Sequence, residues 1–304
     1  MKKEAEEHYR TRFALALKDK DPLEIIRQIT FDGVAPAIVI GDIEKLFDFV
    51  EKDLLGKKIA GVGLEVGGGP GTFSSILARR QSVKKMYDVE ICRPIVEELL
   101  PRVSSHVLNG LTDKIVGAVG SFDDIKLPDN SIDFIFDYFS LHHSDNISIT
   151  FKECHRVLKS GGFIFCFDKA RPDYYTDADL TGLIDAEYGR EFKKQFGLPL
   201  DQEWTRRMNG EKEYRLTDWR GAFLRAGFGK FESFYLAKIG GGRISLAVKN
   251  ILSNMPVSLQ FMLARFMPKP RFNHKFILDP KNRIFTKLLN NFPKEVSIMI
   301  AHKI

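Results

Sequence analysis

The chain of 304 residues predicts an α/β fold, a three-layer, doubly wound and mostly parallel sheet with helices on both faces. Three observations carry that expectation. Short apolar runs alternate with helical segments from Lys57 onward, the first run enters a glycine-rich turn that leads directly into a helix, and an acidic residue closes the next run.

The elements follow in order. Residues 1–55 read as an N-terminal helical cap. Asp21-Pro22 supplies an N-cap and a first-turn proline, and Ile43, Leu46, Phe47, Val50 and Leu54 share a helical face that ends at Gly56. Strands are expected at 59–66, 83–89, 114–119, 132–136 and 163–167, with helices at 72–80, 94–100 and 147–158. The last of these helices is expected to stop at Lys159-Ser160-Gly161-Gly162, where lysine suits the negative helix end and glycine permits a left-handed turn. A helix from Thr217 to Ala226 stops at Gly227, residues 230–236 form a sixth strand and 296–300 a seventh. The main domain thus covers 56–238 and 293–304, interrupted by 239–292, which is too long for an ordinary connection and reads as a basic, largely helical insertion. Within it Pro256 separates two short helices, and Leu259, Met262, Leu263 and Phe266 line one face of the second.

Composition narrows the class. With 44% hydrophobic and 28% charged residues, the chain can bury a sizeable core and has no tract biased enough to remain unfolded. No apolar stretch is long enough to span a bilayer, and Cys92, Cys154 and Cys166 show neither metal nor disulfide spacing, so a reducing cytoplasm is the expected setting. His155 beside Cys154 in mid-helix offers too few ligands for a metal, and none is expected. The net charge of +6 is uneven: residues 241–304 hold eleven Lys/Arg against Asp279 and Glu295 alone.

The most informative stretch is LEVGGGPGTFS, Leu64 to Ser74. An apolar strand runs into Gly67, Gly68, Gly69, Pro70 and Gly71, and a helix follows, so side chains are missing where a ligand must approach the backbone. The next strand ends in YDVEIC, which places Glu90 where a carboxylate accepts hydrogen bonds from both ribose hydroxyls of an adenosine-containing cofactor. Asp88 competes for that role if the strand extends through Glu90. Gly67, Gly69 and Gly71 make G-x-G-x-G, unlike the G-x-G-x-x-G of dinucleotide enzymes.

That spacing, with Glu65 two residues before the first glycine, resembles motif I of class I, Rossmann-like S-adenosylmethionine-dependent methyltransferases. GSFDDIKLPDNSIDFIFDYFSLHH, ECHRVLKSGGFIFCFD, RLTDWRGAFLRAGF and VSIMIAHKI are similar in turn to the later strands and the last helix of that family. The resemblance implies seven strands with the last antiparallel, and S-adenosylmethionine bound across the carboxyl ends of the first strands, leaving as S-adenosylhomocysteine. It implies cofactor contacts from Glu65, Gly67, Gly68, Gly69, Gly71, Glu90 and Ile91. Ser121, Phe122 and Asp123 would lie beside the adenine, with Asp123 substituting for the usual acid, and Asp137 and Tyr138 would face the cofactor from the fourth strand.

A sulfonium methyl group is already activated, so alignment and exclusion of water dominate, and a general base is needed only where the acceptor must lose a proton. His142 and His143 follow the fourth strand and are the candidate bases; Asp168, with Tyr174 and Tyr175, lies at the end of the fifth. His142 in SLHHSD also resembles the catalytic histidine of small-molecule O-methyltransferases, although Asp145 comes one residue early and the tryptophan that follows it there is missing. The bland alternatives are packing for the histidines and a helix cap for Asp168.

The expected activity is methyl transfer to a small or medium-sized metabolite, with O-methylation favoured by His142. The alternatives are a macromolecular acceptor (RNA or protein), a lipid-linked acceptor, and a non-catalytic subunit that binds the cofactor or its product. A nucleic-acid partner is disfavoured because the fourth strand reads FDYF in place of an Asn/Asp-Pro-Pro-Tyr motif, and because the basic insertion has few interleaved aromatics. Residues 244–267 are a candidate for peripheral membrane contact or for a lid over the site.

Overall fold

The structure, a computed structural model, describes residues 21, 25, 43–44, 46–171, 173–195, 198–237, 275–278 and 296–304. The paired helices expected around Pro256 lie outside the described residues. So does most of the N-terminal cap, but Ile25 donates its backbone N–H to the Asp21 carbonyl at 2.9 Å, the bond of a first helical turn.

Among the described residues, eight strands make one sheet: β1 (Gly61–Val66), β2 (Val83–Glu90), β3 (Ile115–Val119), β4 (Ile132–Tyr138), β5 (Leu158–Asp168), β6 (Lys230–Ala237), β7 (Lys275–Leu278) and β8 (Val296–His302). Their spatial order is β3-β2-β1-β4-β5-β8-β6-β7. The first five are parallel, and β8 runs antiparallel between β5 and β6. The seven expected strands are therefore present with the closing one antiparallel. The eighth, β7, pairs parallel with β6 at the edge of the sheet and comes from within the insertion, which was expected to be largely helical.

Alternation along the strands sets the three layers. Phe134 and Phe136 on β4 and Phe163, Phe165 and Phe167 on β5 join one core, whereas Ile135, Ile164 and Cys166 join the other. The first core is covered by the helical residues 43–44 and 46–55, by α1 (Thr72–Ala78) and by α2 (Leu100–Val107). Ile43, Leu46, Phe47 and Val50 are fully buried there, and Phe47 meets Phe136 edge to face at 5.3 Å. The second core is covered by α3 (Ile147–Val157) and α6 (Leu216–Arg225), where Phe151 stacks on Phe223 at 3.7 Å. Each buried phenylalanine contributes about 1.5–3 kcal/mol relative to exposure.

Three boundaries differ from expectation. The helix after β2 extends to Val107 through a π-helical turn at Ile95–Leu99: Pro101 has no N–H to continue the ordinary ladder, and the Leu100 N–H bonds back to the Ile95 carbonyl. Helix α3 ends at Val157 and passes straight into β5, so Gly161, at φ +78°, serves an irregularity within the strand rather than the expected helix stop. Helix α6 starts at Leu216, ahead of Thr217, with Asp218 accepting the Arg215 N–H at 2.8 Å. Between β5 and α6 lies a segment with two short helices that the sequence did not reveal, α4 (Asp177–Ile184) and α5 (Arg190–Gln195). No helix among the described residues is long and apolar enough to cross a membrane.

Candidate active site

The carboxyl ends of β2, β1, β4 and β5 lie side by side, with Val89, Val66 and Asp137 in register and Tyr138 opposite Phe167. This is where open α/β sheets receive ligands. The chain leaves β1 through the glycine loop, which the Gly67 N–H anchors to the Val89 carbonyl at 2.7 Å. Two glycines are demanded by geometry. A Cβ on Gly68 would lie 2.2 Å from Asp88 Oδ2, whereas Gly69 has φ +55° and faces open space, so a side chain there would be strained and would fill the volume above the loop.

Acidic groups surround that loop. Glu90 accepts the Gly69 N–H at 3.1 Å and the Cys92 N–H at 2.9 Å, which fixes its carboxylate at the end of β2. Ile91 follows it at the strand's end. Glu65 is buried on β1 and accepts the Ser74 hydroxyl of α1 at 2.5 Å. Because β2 does continue through Glu90, Asp88 shares its face, but its carboxylate is fully buried beneath Gly68, with no hydrogen-bond partner for either oxygen among the described residues. Burial pushes both Glu65 and Asp88 well above the usual carboxylate range, reinforced at Glu65 by Asp88 and at Asp88 by Glu90.

The cradle suits the cofactor implied by its spacing. An open approach to a side-chain-free backbone and a carboxylate fixed at the end of β2 fit an adenosine derivative.

The β4 residues divide by role. Asp137 Oδ1 accepts the Ser140 and Leu141 backbone N–H groups and the Ser140 hydroxyl, at 3.1, 3.0 and 2.5 Å. It thereby braces the turn in which Phe139 takes φ +54°. The Ser140 hydroxyl also reaches the Val66 carbonyl at 2.6 Å, docking that turn on the glycine loop. Tyr138 packs its ring on Phe73 at 4.1 Å. After β3, Phe122 lies near Gly67, and the Ser121 hydroxyl accepts the Asp123 N–H at 3.2 Å. Asp123 itself is bonded to Thr150 and Ser144, tying this loop to the start of α3.

The strongest constellation stands at the ends of β4 and β5. His142, on a 3-10 turn, has Nδ1 2.7 Å from Asp168 Oδ1, while its backbone N–H donates to Asp168 Oδ2 at 3.0 Å. His143 stacks against it at 4.3 Å between ring centres. Burial, then the charges of Lys169, Arg206 and Arg171, holds His142 well below the usual histidine range, with Glu213 opposing them. Burial pushes Asp168 up to about 7 despite the Lys169 N–H and ammonium and the His142 N–H. A neutral imidazole whose Nδ1–H bonds a carboxylate keeps Nε2 as its lone-pair nitrogen, the arrangement of a general base. Tyr174 and Tyr175 lie beyond Asp168 with rings 5.2 Å apart, Tyr174 half exposed.

One group of charged residues beside this pair was not expected from the sequence. Lys169 and Arg171 leave β5, and Arg206, Glu211 and Glu213 return from the α4–α5 segment to meet them. Their pairing spans some forty residues and follows no helical or strand period; only the unusual density of charge in DKAR and NGEKEYR marks it. Among the described residues, no group of three or more His, Cys, Asp or Glu is placed to hold a metal ion.

Comparison with known proteins agrees with this fold. Residues 64–166 match the family described as "Methyltransferase domain". The chain is 32% identical over 92 residues to a sterol 24-C-methyltransferase of Gibberella zeae, covering 29% of this chain and 24% of that one. It is 27% identical over 117 residues to a ubiquinone/menaquinone biosynthesis C-methyltransferase of Rickettsia akari, covering 38% and 47%. The chain thus spans about a quarter to a half of the curated relatives it matches. Geranyl diphosphate C-methyltransferase of Streptomyces coelicolor A3(2) shares the fold at TM-score 0.50 and 12% identity, over 89% of this chain and 81% of that one. The fold and the site define a Rossmann-like nucleotide-cofactor domain of the methyltransferase type. Residues 64–166 are a class I methyltransferase domain, whose cofactor is S-adenosylmethionine.

Proposed function

We propose that this protein transfers a methyl group to a hydroxyl oxygen of a small or medium-sized metabolite, with His142 as the general base. The observation that carries the reading is the Nδ1 to Asp168 contact of 2.7 Å, which orients, at the carboxyl edge of the sheet, an imidazole that burial keeps neutral. When bound, S-adenosylmethionine supplies an electrophilic methyl group on sulfur. The side-chain-free backbone of 67–71 would pack against the adenosyl end and the Glu90 carboxylate would hold it. His142 Nε2 takes the hydroxyl proton as the acceptor oxygen attacks, and Asp168 stabilises the resulting imidazolium. Glu65 and Asp88 set a polar floor under the glycine loop.

A second reading is C-methylation of an acceptor that the same base activates by removing a hydroxyl proton. The C-methyltransferases among the relatives favour it. Incubation with methyl-labelled cofactor and a panel of phenolic, enolic and aliphatic alcohols tests both readings. Label on oxygen or on an adjacent ring carbon separates them, and transfer only to amines or thiols would refute both.

A further inference from the structure

The acceptor side of the site is closed by a clasp of buried charges. Lys169 follows Asp168 and is almost fully buried; its N–H donates to Asp168 Oδ1 at 2.6 Å, and its carbonyl accepts Trp219 Nε1–H at 3.2 Å. Its ammonium lies between Glu211 and Glu213, meeting Glu213 Oε1 at 3.0 Å. Glu213 is shared with Arg171, at 2.6 and 3.0 Å, and with Arg206 at 3.1 Å. Glu211 also accepts bonds from Tyr188 and, at 3.0 Å, from Asn209. The returning segment reaches His142 as well, where the Lys212 N–H donates to the His142 carbonyl at 2.9 Å.

We propose that Lys169 is a positioning residue: gripped by Glu211 and Glu213, it fixes the segment from Arg171 to Arg215 against the peptide that carries Asp168 and so sets the orientation and charge state of His142. The proposal rests on the reading of His142 as the base. The groups facing His142 are Asp168 from β5, His143 from its own turn, Lys169 and Arg171 beyond β5, and Arg206 and Glu213 from the returning segment. A buried cation near a neutral imidazole resists its protonation; a buried carboxylate favours it.

The test is the ring titration of His142, followed by NMR in the full chain, for Lys169→Met, Lys169→Arg and Glu213→Gln, beside turnover and cofactor affinity. Lys169→Met should raise the His142 midpoint by roughly half a pH unit or more, cut kcat about tenfold or more and leave cofactor affinity within about twofold. Lys169→Arg should restore the midpoint. Glu213→Gln breaks the same contact from the other side and should not raise it, whereas simple loosening would move both variants upward. Lys169→Gln, which keeps a hydrogen-bonding side chain between the carboxylates, gives the same comparison should Lys169→Met not fold. An unmoved midpoint in the lysine variants, or an equal rise with Glu213→Gln, overturns the proposal. Midpoints that move as expected while turnover stays normal would uphold the role of Lys169 and remove His142 as the base.

Discussion

His142 and Asp168 meet twice, through Nδ1 to Oδ1 at 2.7 Å and through the backbone N–H to Oδ2 at 3.0 Å. One carboxylate therefore fixes both the ring and the peptide of the histidine. His142→Ala and Asp168→Asn should each lower kcat by about 10²–10⁴-fold, since the first removes the base and the second can invert the tautomer. Cofactor affinity, measured calorimetrically on the same preparations, should stay unchanged. Normal turnover in either variant would remove the pair from the chemistry.

The pH dependence follows from the same pair. The working form has a neutral His142 and an ionised Asp168. Burial holds the histidine below its ordinary range and pushes Asp168 up to about 7, so the carboxylate is the first of the two to protonate as pH falls. The kcat profile should decline as pH drops through about 7 and plateau above it. A decline set only near the ordinary carboxylate range would show that Asp168 does not control the step.

At the cofactor cradle, Gly69→Val should abolish binding, because the new side chain fills the open volume above the loop at a backbone φ of +55°. Glu90→Ala should weaken binding by roughly 1–3 kcal/mol through lost charged hydrogen bonds. Equilibrium titration of both variants with S-adenosylhomocysteine checks the assignment, and full affinity in both would displace the cofactor from this loop.

These cradle residues were legible because their signals are local. A strand running into glycines, an acid at the end of the next strand and the alternation of Phe134, Ile135 and Phe136 each occupy fewer than a dozen positions. Asp88 needed one further fact, the continuation of β2 through Glu90, which places its carboxylate under Gly68 rather than in the ribose position. Asp137 reads in sequence as a residue facing the cofactor, and only the folded turn shows its Oδ1 spent on Ser140 and Leu141. The clasp of Lys169 with Glu211 and Glu213 was not legible at all, since charge pairing across some forty residues depends on the path of the intervening chain. Strand β7 was hidden for a similar reason, since a short edge strand is defined by its partner β6.

The clasp should also show in acid stability. Burial alone would raise Glu213, but its bonds to Arg171 and Lys169 outweigh burial and hold it down at about 2, against an ordinary 4.5. A folded-state value below the unfolded one gives stability that is complete above pH 4.5 and is lost as pH falls toward 2, about 3 kcal/mol in all. Denaturant unfolding at a series of pH values should show a shallower loss over that window in Glu213→Gln than in the unaltered chain. Identical slopes would mean that Glu213 is not held ionised by its partners.

The loop at 67–71 with Glu90 is the proposed site for S-adenosylmethionine. Calorimetric titration of the purified chain with S-adenosylmethionine, S-adenosylhomocysteine and NADH, run beside Gly69→Val, tests it most directly. The unaltered chain should bind the first two saturably, the variant should bind neither, and NADH should give no heat. Binding of NADH with neither adenosyl compound bound would contradict it.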